Sequence, residues 1–179
     1  MMQNSSSNTH NASALAVQYI RLIGDQLHRM GVSVEHWLAM SQLTWRQLDD
    51  PSFELTYSTF EQLAQHAVML TREPALGLIL GERLVASTHG AVGYAVMNSG
   101  TMRAVLEVIQ RFMGLRIAFM SLSYEHHPDE VRVIIAELFP LGDIRALLLE
   151  AVVLSIKNLL DAVSMGACQV HAVVFPFAT

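Results

Sequence analysis

The chain has one cysteine, Cys168, in 179 residues. No internal disulfide can form, which suits a reducing compartment and leaves stability to a buried core. Charge is also scarce, with Asp, Glu, Lys and Arg together making up 15% of the chain. Cations are scarcer still: 11 Lys and Arg stand against 16 Asp and Glu, a formal net charge of -5, and the pI is about 5.9. A nucleic-acid surface needs clustered cations to replace phosphate counterions, so direct DNA binding by these residues is not expected. Long apolar runs are missing as well. The charge-free stretch from Leu84 to Met102 is broken by Ser87, Thr88, His89, Asn98 and three glycines, and the segment after Asp143 carries Arg145, Glu150, Lys157 and Asp161. Neither reads as a transmembrane span. The opening MMQNSSSNTHN has neither the cationic nor the apolar region of a signal peptide. The expectation is a soluble, cytoplasmic protein without a membrane partner.

Catalytic signatures are absent in the same way. There is no G-x-S-x-G elbow, P-loop, G-x-G-x-x-G or H-E-x-x-H. The adjacent His126 and His127 fall at a turn, where neighbouring side chains diverge, and Cys168 reads as a buried, inert thiol. No catalytic residue, metal site or cofactor is expected, and the chain is not read as an enzyme.

What the sequence does have is apolar surface to bury: 52% of residues are hydrophobic, and the mean hydropathy is +0.35. That is more than ordinary globular usage, at a length that supports one domain with a true core. Residues 1–12 read as a polar, disordered tail and residues 13–179 as the domain. From Ser13, Val17, Ile20, Ile23, Leu27 and Met30 form a helical stripe that Gly31 ends. A short helix follows from Ser33, and Thr44 opens another turn of helix. Ser58 and Glu61 have the spacing of a capping box ahead of a third substantial helix, and Pro74 suits the first turn of the next. Gly77 and Gly81 read as a close helix contact.

The centre of the chain is His89 to Arg116. Thr101 is a natural N-cap and Gly114 a natural terminator for an amphipathic helix carrying Met102, Val105, Leu106, Ile109, Phe112 and Met113 on one side. The shorter segment before it places Tyr94 and Asn98 one turn apart beside Ala91 and Ala95, a face suited either to close helix contact or to one wall of a pocket. Beyond it the apolar period becomes two: Ile117 to Tyr124 and Val131 to Leu138 read as a hairpin around His127-Pro128-Asp129-Glu130. Asp143 is expected to cap a long buried helix ended by Gly166, and Val170 to Phe177 reads as a third strand, left open and completed by residues beyond Thr179. The fold class is α+β, a helical N-terminal half packed on a small, mainly antiparallel sheet with a long buried helix.

The 10 methionines fill irregular cores or line adaptable apolar pockets. In the pocket reading, Gly90, Gly93, Ala91 and Ala95 leave space beside the short helix, and His89, Tyr94 and Asn98 address it. Met97, Met113, Phe119 and Met120 supply apolar wall, and Arg116 either bonds an anionic ligand or simply favours its helix C-terminus. In the alternative, Tyr94 and Asn98 bond nearby backbone in a filled core.

The runs GVSVEHWLAMSQLTWRQLDDP, EPALGLILGERL and HGAVGYAVMNSGTMRAVLEVIQRF, in that order, resemble the N-terminal effector-sensing, arabinose-binding-type domain of AraC-family transcription regulators, in the group that includes ornithine-utilisation regulators. The resemblance covers the chain after Ser13, and its marks are Gly90, Gly93, Tyr94, Ala95, Ser99, Thr101 and Leu106. It implies a small-molecule effector, whether an amino acid, a carboxylate or an apolar acid. It also implies promoter DNA contacted only through a C-terminal helix-turn-helix domain that this chain does not contain. A dimerisation or structural module without a ligand is the alternative, and a homodimer is left open.

Overall fold

The computed structural model describes residues 17–50, 53–117 and 119–176. The expected tail and the first residues of the first helix lie outside that range. Among the described residues there are eight α-helices and one two-stranded antiparallel sheet, an α+β chain as expected. They fall into two compact units, Met1–Leu76 with Arg116–Ala118, and Gly77–Leu115 with Phe119–Thr179.

The first unit is helical because its apolar residues recur at three and four. In α1 (Val17–Arg29) that stripe buries Ile20, Ile23 and Leu27, and Gly31 leaves the helix at φ +81°. α2 (Val34–Met40) is capped by Ser33, whose Oγ accepts the His36 N–H at 3.2 Å. α3 (Trp45–Leu48) has a full capping box: Thr44 Oγ1 accepts from Gln47 N–H, and Gln47 Oε1 accepts the Thr44 N–H at 2.9 Å. α4 (Tyr57–Thr71) starts earlier than its S-x-x-E spacing predicts. Thr56 is the cap, accepting from Thr59 N–H at 3.2 Å, so Ser58 and Glu61 lie inside the helix and form no box. The competing hydroxyl two residues upstream wins because its backbone is already extended, at ψ 158°. At the centre Trp37 is fully buried and donates Nε1–H to the Leu63 carbonyl at 2.8 Å, satisfying its one polar atom within the core.

The second unit contains α5 (Leu76–Glu82) from Gly77 onward, a 3-10 turn over Ala86–His89, α6 (Ala91–Met97), α7 (Met102–Arg116) as far as Leu115, the hairpin of β1 (Met120–His126) and β2 (Val131–Glu137), a second 3-10 turn over Gly142–Ile144, and α8 (Arg145–Ser164). Thr101 caps α7 as expected, its Oγ1 accepting the Ala104 N–H at 3.2 Å. Gly114 does not terminate it: the helix continues to Arg116, with Gly114 exposed in its last turn. The hairpin pairs Met120 with Glu137, Leu122 with Ile135 and Tyr124 with Val133, so it opens at Met120 and not at Ile117. Met120 and Leu122 point inward, 0% and 4% exposed. α8 buries Leu147, Leu148, Leu149, Ala151, Val152, Ile156, Leu159 and Leu160, the extensive burial its composition predicts. Asp143 does not cap it, because the 3-10 turn runs straight into the helix and no side-chain cap forms.

The third strand does not form over residues 170–176; Phe177 lies outside the described residues. Val170, Val173 and Val174 are exposed. Arg145 Nη1 donates to the Pro176 carbonyl at 3.2 Å, which is a side-chain tie and not a strand ladder. Alternation of apolar residues is necessary for a strand, but hydrogen bonds from a neighbouring strand are what make one.

Candidate functional site

Backbone contact dictates the shape of the second unit where the central stretch lies. Gly93 packs its Cα against the 3-10 turn so closely that a Cβ there would lie 1.8 Å from the Ala86 carbonyl oxygen. Gly77 and Gly81 do the same for α5 against α8, where added Cβ atoms would come within 2.5 Å of the Leu147 carbonyl oxygen and 2.8 Å of Leu154 Cβ. Gly77, Gly81 and Gly93 are therefore filled contacts between segments, as the Gly77–Gly81 spacing predicts, whereas an added Cβ at Gly90 would meet nothing. α8 adds polar fastenings: Ser155 Oγ lies 3.0 Å from His89 Nε2, and Asn158 Nδ2 donates to the Gly81 and Leu84 carbonyls at 3.0 and 3.3 Å.

The eight residues expected around a pocket divide accordingly. His89 is half-buried and tied to Ser155. Tyr94 is 74% exposed and Met97 46% exposed, so α6 presents them to solvent. Asn98 is also exposed, and its Nδ2 donates back to the Tyr94 carbonyl at 2.8 Å, finishing the helix. Met113, Phe119 and Met120 are buried in the core of the second unit, Phe119 meeting Phe139 edge-on at 6.2 Å between ring centres. Arg116 ends α7 and is grouped with the first unit. The structure thus brings Met113, Phe119 and Met120 into a core and sets Tyr94, Met97 and Asn98 on a surface. Cys168 is a free, half-buried thiol and not a buried one.

Two features escape a reading of the sequence. The first is Glu150, in the middle of α8 and against Gly77. Its Oε2 is buried without a hydrogen-bond partner, and burial raises its pKa above the ordinary carboxyl value while a backbone bond from Leu78 acts the other way. Nothing in the local pattern of α8 distinguishes this glutamate from an exposed one. The second is a solvent-open groove of about 470 Å³ in the first unit, lined by Gly24, Asp25, His28 and Arg29 of α1, Val34 and Glu35 of α2, and Trp45 of α3. None of the eight expected residues lines it. Gly24 packs closely at its base, where a Cβ would press on Val34 Cγ1 at 3.1 Å and Trp45 Cη2 at 3.2 Å. Beside it Arg21 lies 6.0 Å from the Trp45 ring centre and pairs with Asp49. The Asp25 and Arg29 spacing was the available signal, but i,i+4 acid–base pairs on helices are usually just solvated faces.

Comparison with known proteins sets the class: a domain of the kind found at the N-terminus of transcription regulators. The family model for the arabinose-binding domain at the N-terminus of AraC transcription regulators matches residues 31–179, and the chain belongs to that family. It is similar to the Ornithine utilization regulator of Pseudomonas aeruginosa, 33% identical over 133 residues, which are 73% of this chain and 39% of that protein. Uncharacterized HTH-type transcriptional regulators of Mycobacterium bovis and Mycobacterium tuberculosis are each 23% identical over 133 residues, 73% of this chain and 38% of theirs. The chain therefore spans well under half the length of these relatives. No helix among the described residues is long and apolar enough to cross a membrane.

Proposed function

We propose that this chain is the effector-sensing part of an AraC-type regulator, working in the cytoplasm and controlling how an attached DNA-binding domain engages a promoter. The match to the arabinose-binding domain family over residues 31–179 carries this reading. The effector is a small molecule of the amino-acid or carboxylate class, in keeping with the name of the Pseudomonas relative. Binding regulates only if the effector prefers one of two states of the whole regulator. Within the second unit, His89, Tyr94, Met97, Asn98, Met113, Phe119 and Met120 form one candidate contact set, and the groove of the first unit is another. The relatives are regulators and not enzymes, and the proposed role requires no catalysis. A thermal-shift screen of metabolites tests the reading: an effector at about a hundred times its dissociation constant adds roughly 2.7 kcal/mol. No stabilisation by any amino acid or carboxylate would refute it.

A second reading, a dimerisation module without a ligand, draws on the apolar side chains that the second unit exposes, Leu78, Val85, Tyr94 and Met97, at 42%, 43%, 74% and 46%. In that case melting rises with protein concentration and responds to no metabolite.

A further inference from the structure

Four of the described cations hold a carboxylate. Arg21 pairs with Asp49, Arg132 with Glu130, Arg145 with Glu137 and Lys157 with Asp161. Arg29 is different. It stands four residues after Asp25 on α1, the spacing and order that normally close an acid–base pair, yet no ion pair or hydrogen bond joins either side chain to any described residue. Both line the same concavity. Across it Glu35 adds a second carboxylate, engaged by the Ser33 hydroxyl at 3.3 Å, and Trp45 adds a half-buried aromatic wall.

We propose that the groove between α1, α2 and α3 binds a small zwitterion that carries one carboxylate and more than one amine. This rests on the effector reading above and gives it a location. The charge count selects the class. Arg29 offers a forked donor to one carboxylate. Asp25 and Glu35 are two acceptors for ammonium groups, and the Trp45 ring covers the aliphatic stem between them. The groove's volume, about 470 Å³, lies in the range of small-molecule sites. An uncharged sugar or a fatty acid would leave these carboxylates facing a ligand that offers no cation. The groove also lies within the first unit alone.

The test is isothermal titration calorimetry of the 179-residue chain with three probes: L-ornithine, putrescine, which lacks the carboxylate, and L-norvaline, which lacks the side-chain amine. L-Ornithine is expected to bind at least about tenfold more tightly than either. Arg29→Gln and Asp25→Asn are each expected to weaken it by about tenfold or more, the scale of one charge-assisted bond. Both positions are exposed, so melting temperatures should stay within a degree or two of the parent and a lost signal reports binding, not folding. The proposal is overturned if L-ornithine gives no binding heat, if the three probes bind alike, or if neither substitution weakens binding. An effector found in the metabolite screen whose affinity ignores both substitutions overturns the groove and leaves the regulator reading standing. A screen without any hit counts against that reading itself.

Discussion

Gly93→Ala tests the packing account of the second unit most directly. The new Cβ would sit 1.8 Å from the Ala86 carbonyl oxygen, 2.7 Å from its carbon and 3.2 Å from Ala86 Cα. All three are backbone atoms, so no rotamer change relieves the overlap, and α6 and the 3-10 turn must separate by roughly an ångström or more to restore ordinary contact. Overpacking of this kind costs about 1–3 kcal/mol or more. The separation also strains the bond between His89 and Ser155, 3.0 Å long at the end of that turn, worth about 1 kcal/mol. Against this, alanine improves helix propensity by about 1 kcal/mol. The net loss is about 2 kcal/mol, and in a chain of this size each kcal/mol lowers the melting temperature by about 2–4 °C. Thermal unfolding followed by far-UV circular dichroism should therefore show a drop of about 4–8 °C. Gly114→Ala is the control: it lies in α7 with no atom within 4 Å of an added Cβ, so it should gain about 0.5–1 kcal/mol. A Gly93→Ala protein that melts at or above the parent would refute the close approach of α6 to the turn.

Glu150 should make the chain less stable as pH rises. Burial raises its folded pKa above the ordinary 4.5, so its favourable contribution is complete below that ordinary value and is lost as pH climbs through the raised one. Glu150→Gln is expected to flatten this part of the melting-temperature profile and to be more stable than the parent at neutral pH; equal slopes would show the carboxyl to be solvated. Tyr94→Phe changes an exposed group and should cost under about 0.5 kcal/mol in urea unfolding, while Asn98→Ala loses the bond to the Tyr94 carbonyl, about 0.5–1.5 kcal/mol. With the groove as the site, effector affinity is unchanged, whereas a clear loss would move the site to α6. Finally, the chain alone should not bind promoter DNA, given its net charge of -5; sequence-specific binding in fluorescence anisotropy near physiological salt would contradict this.

Local chemistry determined much of this protein. The apolar stripes of α1 and α7, the caps at Ser33, Thr44 and Thr101, the chain reversal at residues 127–130 and the α+β class are legible because neighbours in sequence supply the interaction. The resemblance to AraC-family sensing domains is legible for a related reason, since its marks include glycines that the packing requires, Gly93 above all. Tertiary structure decided the rest. Whether Tyr94 and Asn98 face a cavity or solvent depends on which side of α6 its neighbours cover, and a small-residue face reads the same in both cases. The buried oxygen of Glu150 depends on Gly77, far away in sequence, letting α5 approach α8. The apolar alternation over residues 170–176 yields no strand, because a strand's stability resides in hydrogen bonds to a partner that no local pattern specifies. The groove beside Trp45 is lined by residues of α1, α2 and α3, with Gly24 where an added Cβ would press on Val34 and Trp45; concavity belongs to the arrangement of three segments and to none of them singly.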